Sequence, residues 1–452
     1  MSLETIEAEV AVIGGGPAGS TAAGLLAARQ RKVVLLEKDV HPRFHIGESL
    51  LPRNLDILDR LGVLEEVRTI GVHKPGAEFV SDRTGRSQAF PFARALDRDR
   101  TFAWQVRRSE FDRILFDNAA RKGALTFQGT RAQSLEFGTE GGPSVIRAQR
   151  PDGTALEVRA RYVLDASGRD TFLAGKLNLK TSNKYNNTAA AYAHFRGVER
   201  REAALAGYIS IHLAEDGWFW IIPLTGEVTS VGFVGNQSAW KNRRGTAAEI
   251  FQDRIAASPT VSARMRQAER VSEIYSTANY SYRARSGTGP GYLMIGDAYG
   301  FVDPMFSTGV LMAMTAGELG AEAAHAWLDD PVAGQALAAR TNRETARAMD
   351  RISWLIYRIN DPVLRSMFMS PSNAFWMRDG IVNMLAGNLR HSPRAVLPVL
   401  MFKTVYHVLS RLHRCGMGPE MPEARTLDRQ MPSSGFGAGL DSAREAARGA
   451  DR

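Results

Sequence analysis

The hydrophobic positions of this chain change period along its length, and the changes predict which segments are strands and which are helices. A continuous apolar run over residues 10–13 leads into a glycine-rich turn, and a second apolar run follows at Val33–Leu36. Short segments of period 2 fill much of residues 124–282, apart from a helical stretch near Ala247–Ala257. From about residue 307 onward the period is 3.6. The pattern predicts an α/β chain with a β-rich middle and a helical C-terminal region.

The turn after the first strand carries glycine at three spaced positions. Gly14 permits a tight turn, Gly16 lets a phosphate approach the backbone, and Gly19 lets the helix predicted over residues 20–29 pack closely on the strand. The N-terminus of that helix offers unpaired N–H groups to phosphates. Glu37, at the end of the second strand, is placed to hold an adenosine ribose. The glycine spacing alone is weak evidence, but the strand, the helix and the acid together predict a dinucleotide-binding site.

Composition narrows the class of protein. The chain has 452 residues with 44% hydrophobic and 23% charged residues, which is typical of a globular protein. Its one cysteine, Cys415, excludes an internal disulfide and favours a reducing, cytoplasmic location. We expect no signal peptide and no membrane span, because the N-terminus is acidic and no run of about 18 apolar residues occurs. No zinc spacing, nucleic-acid motif or internal repeat is visible, so neither a metal nor nucleic acid is predicted.

Polar side chains near one end of the predicted cofactor come from two further segments. The segment 42–52 offers Arg43, Glu48 and Ser49, although Ser49 is also consistent with an ordinary helix N-cap before Pro52.

A second segment contributes an arginine at the start of a helix. The period changes from 2 to 3.6 at Ser109, which we predict to be the N-cap of a helix ending near Arg121. We expect Arg108, rather than Arg107, to face the cofactor.

Two later strands also end in turns of small residues. The segment 165–168 begins with Asp165, and a buried strand delivers Gly296 and Asp297, whose carboxylate can bond sugar hydroxyls. A helix is predicted from near Ser307 to about Trp327. Its first N–H groups form an anion-binding end.

Two features have ordinary structural explanations when they are considered alone. Strand alternation places Trp218, Trp220 and Ile222 on one face of a strand that ends at Pro223, which is consistent with a crowded buried strand. Lys74 precedes a proline in a predicted loop, where a solvated surface lysine is the usual interpretation.

In combination, these segments resemble known flavoproteins. Residues 14–19 with Glu37, residues 165–168 and residues 296–297 resemble the FAD-binding set of the p-hydroxybenzoate hydroxylase-like superfamily. Within it, the segment Trp-x-Trp-x-Ile-Pro at residues 218–223 resembles the WxWxIP signature of flavin-dependent halogenases. Lys74, in Lys-x-Gly-Ala-x-Phe, falls where their essential lysine lies. Residues 301–310 resemble the compact halogenases that act on pyrroles tethered to carrier proteins, and their phenol-modifying relatives.

The resemblance implies an FAD-binding Rossmann-like (GR2-type) domain with an inserted β-sheet substrate domain and a helical C-terminal region. The expected ranges are 1–185 and 270–330 for the FAD-binding domain, 75–105 and 186–282 for the substrate-side sheet, 331–414 for the helical region and 415–452 for a loosely ordered tail with a short helix near 441–448. The residues expected to bind FAD are Gly14, Gly16, Pro17, Ala18, Gly19, Glu37, Lys38, Arg43, Glu48, Ser49, Arg108, Asp165, Gly168, Asp297, Pro304, Gly309 and Val310.

The resemblance also implies a reaction. FADH2 and oxygen convert chloride or bromide, held by the amides of Thr308 and Gly309, into hypohalous acid. Trp218 and Trp220 keep the substrate from the flavin, and Lys74 positions the electrophilic halogen against an electron-rich aromatic ring. A lysine suits this role if burial lowers its pKa, whereas an arginine stays protonated. A separate NAD(P)H-dependent flavin reductase is the expected partner, and secondary-metabolite biosynthesis is the expected context, with the substrate free or on a carrier protein.

Two other interpretations stay open at this level. One is a monooxygenase or a reductase of the geranylgeranyl reductase type, and the other is a non-catalytic flavoprotein that transfers electrons. Free tryptophan is not the expected substrate, because the extended lid and catalytic glutamate of tryptophan halogenases are not visible. The apolar helix around residues 395–412 is predicted to pack on its own protein or cap the cavity, although its composition also suits a partner or a membrane surface.

Overall fold

The computed structural model describes residues 4–139, 142–182, 188–236, 239–240, 245–278, 281–389 and 393–417. The expected tail beyond residue 417, including the short helix near 441–448, lies outside the described residues. The strands are β1 (Glu4–Ile13), β2 (Val33–Leu36), β3 (Gly71–Lys74), β4 (Gly76–Ser81), β5 (Ser87–Pro91), β6 (Ala103–Val106), β7 (Leu125–Phe127), β8 (Arg131–Glu136), β9 (Ser144–Gln149), β10 (Ala155–Asp165), β11 (Lys180–Ser182), β12 (Thr188–Arg196), β13 (Ile209–Leu213), β14 (Gly217–Pro223), β15 (Thr229–Asn236), β16 (Glu269–Arg270), β17 (Tyr275–Ala278), β18 (Tyr282–Ala284), β19 (Thr288–Gly289), β20 (Tyr292–Met294) and β21 (Gly300–Phe301). The α-helices are α1 (Pro17–Ala27), α2 (Pro52–Leu61), α3 (Leu64–Ile70), α4 (Arg108–Arg121), α5 (Phe172–Lys176), α6 (Ala247–Ala257), α7 (Pro259–Arg264), α8 (Thr308–Asp329), α9 (Pro331–Ile356), α10 (Pro362–Met369), α11 (Met377–Leu385) and α12 (Pro393–Arg414).

The first sheet brings the three predicted cofactor segments to one edge. Its strands run in the order β19-β20-β10-β1-β2-β7, and β9 extends it by pairing with β10 and β8. β1 pairs in parallel with β2 and β10, so Ile13 lies beside both Leu36 and Asp165. β10 in turn pairs in parallel with β20, with Asp165 beside Met294. Because these strands are parallel, the turns after each of them open at the same end of the sheet.

The second sheet carries the tryptophan strand near its centre. Its strands run in the order β16-β12-β15-β14-β13-β4-β5, and β17 also pairs with β12. The apolar side chains of β14 divide between two separate buried clusters. Trp218, Trp220 and Ile222 belong to the cluster shared with the first sheet, whereas Phe219 and Ile221 belong to the opposite one. The predicted alternation and the strand end at Pro223 are therefore confirmed.

Lys74 ends a short strand that leads directly into the second sheet. β3 pairs antiparallel with β6, and Lys74 lies opposite Ala103. After Pro75 the chain enters β4, which pairs in parallel with β13. The lysine is therefore fixed by regular structure on both sides, and the interpretation of a solvated loop lysine is wrong.

Glycine allows α1 to pack closely against the turn that precedes it and against α8. A Cβ atom on Gly19 would overlap the carbonyl oxygen of Gly14, and one on Gly317 would overlap that of Ala18. α9 packs along α8, and α10, α11 and α12 follow as the C-terminal layer. The predicted C-terminal helical region is thereby confirmed.

Three predicted helix starts are wrong by one to three residues. The first helix begins at Pro17, whose fixed φ suits the first turn, and α4 begins at Arg108 with Arg107 as its N-cap instead of Ser109. Leu51, not Ser49, is the N-cap of α2, because the Asn54 side chain accepts the Leu51 N–H at 2.9 Å. At the start of α2 the Asn54 side chain therefore satisfies the N–H of the N-cap residue, whose own side chain is apolar.

We expect Gly317→Ala to lower the free energy of unfolding by about 1–3 kcal/mol, because the added methyl group forces α1 and α8 apart. Urea unfolding followed by circular dichroism measures this change. Gly175→Ala is the control, because a Cβ atom there meets nothing within 4 Å. It should change stability by no more than about 1 kcal/mol. Equal effects of the two substitutions would contradict the packing argument.

Candidate active site

A cavity of about 620 Å³ lies between the first sheet's turns and the tryptophan strand. It collects residues that are up to about 300 positions apart in sequence. The predicted site residues that line it are Gly14, Gly16, Pro17, Ala18, Glu37, Lys38, Arg43, Glu48, Ser49, Arg108, Gly168, Trp218, Trp220, Asp297, Pro304, Gly309 and Val310. Gly19, Lys74, Asp165 and Thr308 are not in its lining.

The glycine turn is shaped so that a ligand can approach its backbone closely. Gly14 has a φ of 107°, and a Cβ atom there would overlap the carbonyl oxygen of Ala166. The Glu37 side chain accepts hydrogen bonds from the Gly15 N–H at 2.6 Å and the Asp39 N–H at 2.9 Å. The acid that ends β2 is therefore held rigidly beside the turn, at the edge of the cavity.

A buried arginine–aspartate pair stands beside the loop that covers the cavity. Arg108 donates from Nε and Nη2 to the two Asp112 carboxylate oxygens at 2.7 and 2.9 Å, and from Nη1 to the Ile46 carbonyl at 2.5 Å. Burial raises the pKa of Asp112, but the charge and hydrogen bonds of Arg108 outweigh it, so the pKa lies below its ordinary value. Arg107 instead bonds the Thr225 carbonyl. Arg108 is thus the arginine of the two that faces the cavity, as expected.

Two aspartates of the predicted site have different surroundings. Asp297 lines the cavity, and burial raises its pKa to about 6, opposed by the charges of Arg108 and Arg169. Asp165 is turned away from the cavity, because its carboxylate accepts the N–H groups of Ser167 at 2.9 Å and Leu173 at 2.7 Å. Asp165 therefore shapes the turn after β10.

The loop over the cavity is held by residues that the sequence analysis did not single out. The Phe44 ring stacks on Tyr275 with centroids 4.1 Å apart and contacts the edge of His194 at 5.3 Å. Glu48 Oε1 lies 2.8 Å from His194 Nε2. No motif marked His194 or Tyr275, because they lie on strands of the other sheet, about 150 and 230 residues further along the chain than Phe44. Together they fasten the loop to the second sheet.

The start of α8 offers an anion-binding end to the cavity. Ser307 is the N-cap of this 22-residue helix and adopts a left-handed conformation with φ of 58°. Gly309 and Val310 line the cavity, and the buried Thr308 hydroxyl has no hydrogen-bond partner among the described residues. The free N–H groups and the positive end of the helix dipole favour a negative group here.

The two tryptophans form part of the cavity's lining on the side of the second sheet. Trp218 and Trp220 are both 5% exposed, and their ring centroids are 5.9 Å apart. Trp220 Nε1 donates to the Ser230 hydroxyl at 3.1 Å, which fixes the orientation of the ring. Because neither ring is free to swing into solvent, this side of the cavity is rigid and apolar.

Lys74 is almost completely buried, with 1% of its surface exposed. Its ammonium group donates to the Leu50 carbonyl at 2.8 Å and lies 5.2 Å from the centre of the Phe92 ring. Burial lowers its pKa to about 7, in the expected direction. Leu50 directly follows Ser49, which lines the cavity. The lysine therefore bonds to the segment that bounds the cavity without being part of its lining.

Comparisons with known proteins show which class of protein this chain belongs to. A family model described as an FAD binding domain matches residues 7–320, which makes the chain an FAD-dependent flavoprotein. A 1H-pyrrole-2-carbonyl-[peptidyl-carrier protein] chlorinase of Pseudomonas fluorescens is 33% identical over 69% of this chain and 74% of that protein. A tryptophan 2-halogenase of Chondromyces crocatus is 35% identical over 68% of this chain and 59% of that longer protein. The structure of the flavin-dependent brominase Bmp2 is 26% identical, covers 90% of this chain and all of its own, and gives a TM-score of 0.79.

The chain belongs to the flavin-dependent halogenases. Its relatives therefore favour halogenation over the alternative oxidoreductase and electron-transfer interpretations. FAD is the cofactor, and the cavity fits it in three respects: a glycine turn open to phosphates, a fixed acid beside it, and the buried Arg43 Nε and Ser49 hydroxyl, which lack a hydrogen-bond partner among the described residues. The described residues contain no cluster of His, Cys, Asp and Glu that could hold a metal.

We expect Phe44→Ala to weaken FAD binding by about tenfold, because the loop loses its stacking against the second sheet. Titration of the apoprotein with FAD, followed by quenching of flavin fluorescence, measures the dissociation constant. Val40→Ala is the control, since Val40 precedes the same loop but is 63% exposed. An unchanged dissociation constant for Phe44→Ala would show that the loop is held without the ring.

The burial of Lys74 predicts how the stability of the folded chain changes with pH. Its pKa of about 7 in the folded chain is below the ordinary value of 10.5, so between these values the unfolded chain binds more protons and stability rises with pH. Lys74→Met should therefore stabilise the chain by up to about 4 kcal/mol at pH 7, and the gain should shrink toward pH 10.5. Urea unfolding at several pH values tests this. Lys176→Met, at an exposed position, controls for loss of a charge. A stability gain in Lys74→Met that does not change with pH would contradict the lowered pKa of Lys74.

Proposed function

We propose that this chain is an FADH2-dependent halogenase that makes hypohalous acid from oxygen and chloride or bromide and delivers the halogen, through Lys74, to an electron-rich aromatic ring. The single observation that carries the proposal is the buried amine of Lys74. It is bonded to Leu50, next to a residue of the FAD cavity, and its pKa is near neutrality. A surface lysine has neither property, and a lysine with a purely structural role gains nothing from a lowered pKa.

The cofactor site supports the first half of this reaction. Reduced FAD, when bound, supplies together with oxygen the oxidising power that converts halide into hypohalous acid. The turn at Gly14 and Gly16 receives the phosphates, Glu37 the ribose, and Asp297 the hydroxyls of the ribityl chain. We assign the halide to the amides of Thr308 and Gly309, because the helix end there favours an anion.

Lys74 performs the second half by orientation and proton control. Near pH 7 its amine is populated in both protonation states. The ammonium form donates a hydrogen bond to the oxygen of hypohalous acid, which makes hydroxide or water a better leaving group. The neutral form attacks the halogen, forming an N–halogen bond with loss of water. In either case the ring carbon takes the halogen without its bonding electrons and then loses a proton.

Trp218 and Trp220 separate the two halves of the reaction. Their rigid rings occupy the side of the cavity formed by the second sheet. We assign them the role of keeping the organic substrate off the flavin, so that oxygen transfer to the ring does not compete with halogenation.

The substrate class follows from the relatives together with the compact C-terminal region. The Pseudomonas relative acts on a pyrrole-2-carbonyl group held by a peptidyl carrier protein. We propose a carrier-bound pyrrole or a phenol as the substrate, and a separate NAD(P)H-dependent flavin reductase as the source of FADH2 in the cytoplasm. In this assignment residues 1–185 and 270–330 bind FAD, residues 75–105 and 186–282 face the substrate, and residues 331–414 complete the lysine site.

Lys74→Ala should lose at least about 100-fold in halogenation while its affinity for FAD stays within about twofold of the original. The assay supplies chemically reduced FAD, oxygen and halide, and measures a halogenated phenol by mass spectrometry. Lys74→Arg distinguishes the two roles of the amine: an arginine donates hydrogen bonds but stays protonated, so a loss equal to that of Lys74→Ala indicates the neutral role, and retained activity indicates hydrogen bonding. Lys176→Ala is the matched control. Full regioselective activity in Lys74→Ala would remove the lysine from the mechanism.

A further inference from the structure

The last helix, α12, has two faces with different surroundings. Its inner face packs on the protein: Phe402 and Tyr406 are buried against Trp354, and the Tyr406 hydroxyl donates to Asp361 at 3.2 Å. A Cβ atom on Gly380 of α11 would lie 2.7 Å from Pro398 Cβ, so the two helices are in close contact. The helix is therefore an integral part of the C-terminal layer.

The outer face of the same helix is apolar and exposed. Its members recur at helical spacing and define the apolar ridge: Val396, Leu397, Leu400, Val408 and Leu412. Val396, Leu397, Leu400 and Val408 are each more than half exposed, at 52–56%. By length and composition alone the segment Arg394–Arg414 is apolar enough to cross a membrane, yet only 22% of its most apolar window is buried. An exposed apolar strip of this length marks a contact surface.

Two further aromatic side chains extend the exposed apolar surface. Phe375 and Trp376, in a turn that contacts α12, are 60% and 62% exposed. Both have positive φ values, of 53° and 56°. This conformation is costly for bulky residues, by about 1–3 kcal/mol each. Both rings are therefore exposed on a turn whose backbone conformation is costly for bulky residues.

The charged side chains that α12 itself carries are all basic. From Gly380 to Met417 the sequence contains no Asp or Glu, whereas its basic residues are Arg390, Arg394, Lys403, Arg411 and Arg414. Arg394, Arg411 and Arg414 are exposed. An exposed apolar strip on a helix whose own charged residues are all basic, with a tryptophan beside it, is the pattern of a helix that lies in the headgroup region of an anionic bilayer.

We propose that the apolar ridge, with Phe375 and Trp376, is a membrane-docking surface that binds bilayers containing anionic lipid. The helix lies along the bilayer and does not cross it, because its inner face is already packed on the protein. The observations favour lipid over a protein partner for two reasons. Its exposed apolar members project from one face of a helix, and that helix carries no acidic residue that could pair with basic residues of a protein partner. The inference is independent of the halogenation proposal.

The surface lies on the lysine side of the molecule. α11 contacts both α12 and the turn Phe92–Arg94, whose Phe92 ring lies under the Lys74 ammonium group. Docking would therefore bring the bilayer next to the helices that contact the turn of Phe92.

Sedimentation with vesicles tests the proposal on the full chain loaded with FAD. Vesicles of phosphatidylcholine alone are compared with vesicles of phosphatidylcholine and phosphatidylglycerol in equal parts, at about 0.1 M and about 0.5 M salt. The original chain should sediment with the anionic vesicles, and more weakly at the higher salt. Leu397→Glu combined with Leu400→Glu should weaken binding at least about tenfold. Arg394→Gln combined with Arg411→Gln should reduce the salt dependence.

Val332→Glu is the control for replacing an exposed apolar residue by an acid away from α12, because Val332 is 80% exposed at the start of α9; it adds one negative charge, whereas the Leu397/Leu400 variant adds two. It should bind vesicles like the original chain, and every variant should retain FAD binding and thermal stability. The proposal is overturned if the original chain stays in the supernatant, which would point to an acidic protein or to residues 418–452 as the occupant. It is also overturned if the Leu397/Leu400 variant still sediments, or if that variant instead abolishes a lipid-free dimer seen by analytical ultracentrifugation.

Discussion

The feature on which the rest of the site depends is the removal of the Lys74 amine from water. A buried ammonium group is costly unless it is paired, and the bonds resolved here are one carbonyl at 2.8 Å and one aromatic ring. The amine stays buried despite this cost because β3 and β6 fix the lysine backbone and the Leu50 carbonyl, just before α2, binds the ammonium group. The consequence is an amine with a pKa of about 7, which suits the halogen-transfer role that we propose for it.

The FAD cavity is built on a different constraint, the close approach of backbones. Parallel pairing of β2, β1, β10 and β20 brings their following turns to one end of the sheet. Glycine permits the turn after β1, at Gly14 against Ala166, and the contact of α8 with α1, at Gly317 against Ala18. The first sheet carries the glycine turn and Glu37, and the second sheet supplies the tryptophans and the aromatic anchor for Phe44. The cavity is therefore complete only when the two sheets pack together.

The C-terminal layer links the site to the surface. α11 contacts the turn that carries Phe92, and α12 packs over α11. α11 therefore connects the turn beside Lys74 with the helix that carries the exposed ridge. The lowered pKa of the lysine depends on its burial, because water at the amine would favour the charged form.

Local sequence determined much of this protein. The glycine turn, the two-residue alternation of Trp218 and Trp220 and the Ala247–Ala257 helix follow from short-range rules, and the structure agrees with them. The family also follows from the motifs, and the relatives confirm it.

Tertiary structure decided the features that depend on distant neighbours. The sequence could not indicate that Tyr275 and His194 hold the loop at Phe44, or that Asp165 bonds to its own turn. It also could not establish that a lysine before a proline is buried, because exposure and pKa are set by the side chains that pack around a residue, and those come from every part of the chain.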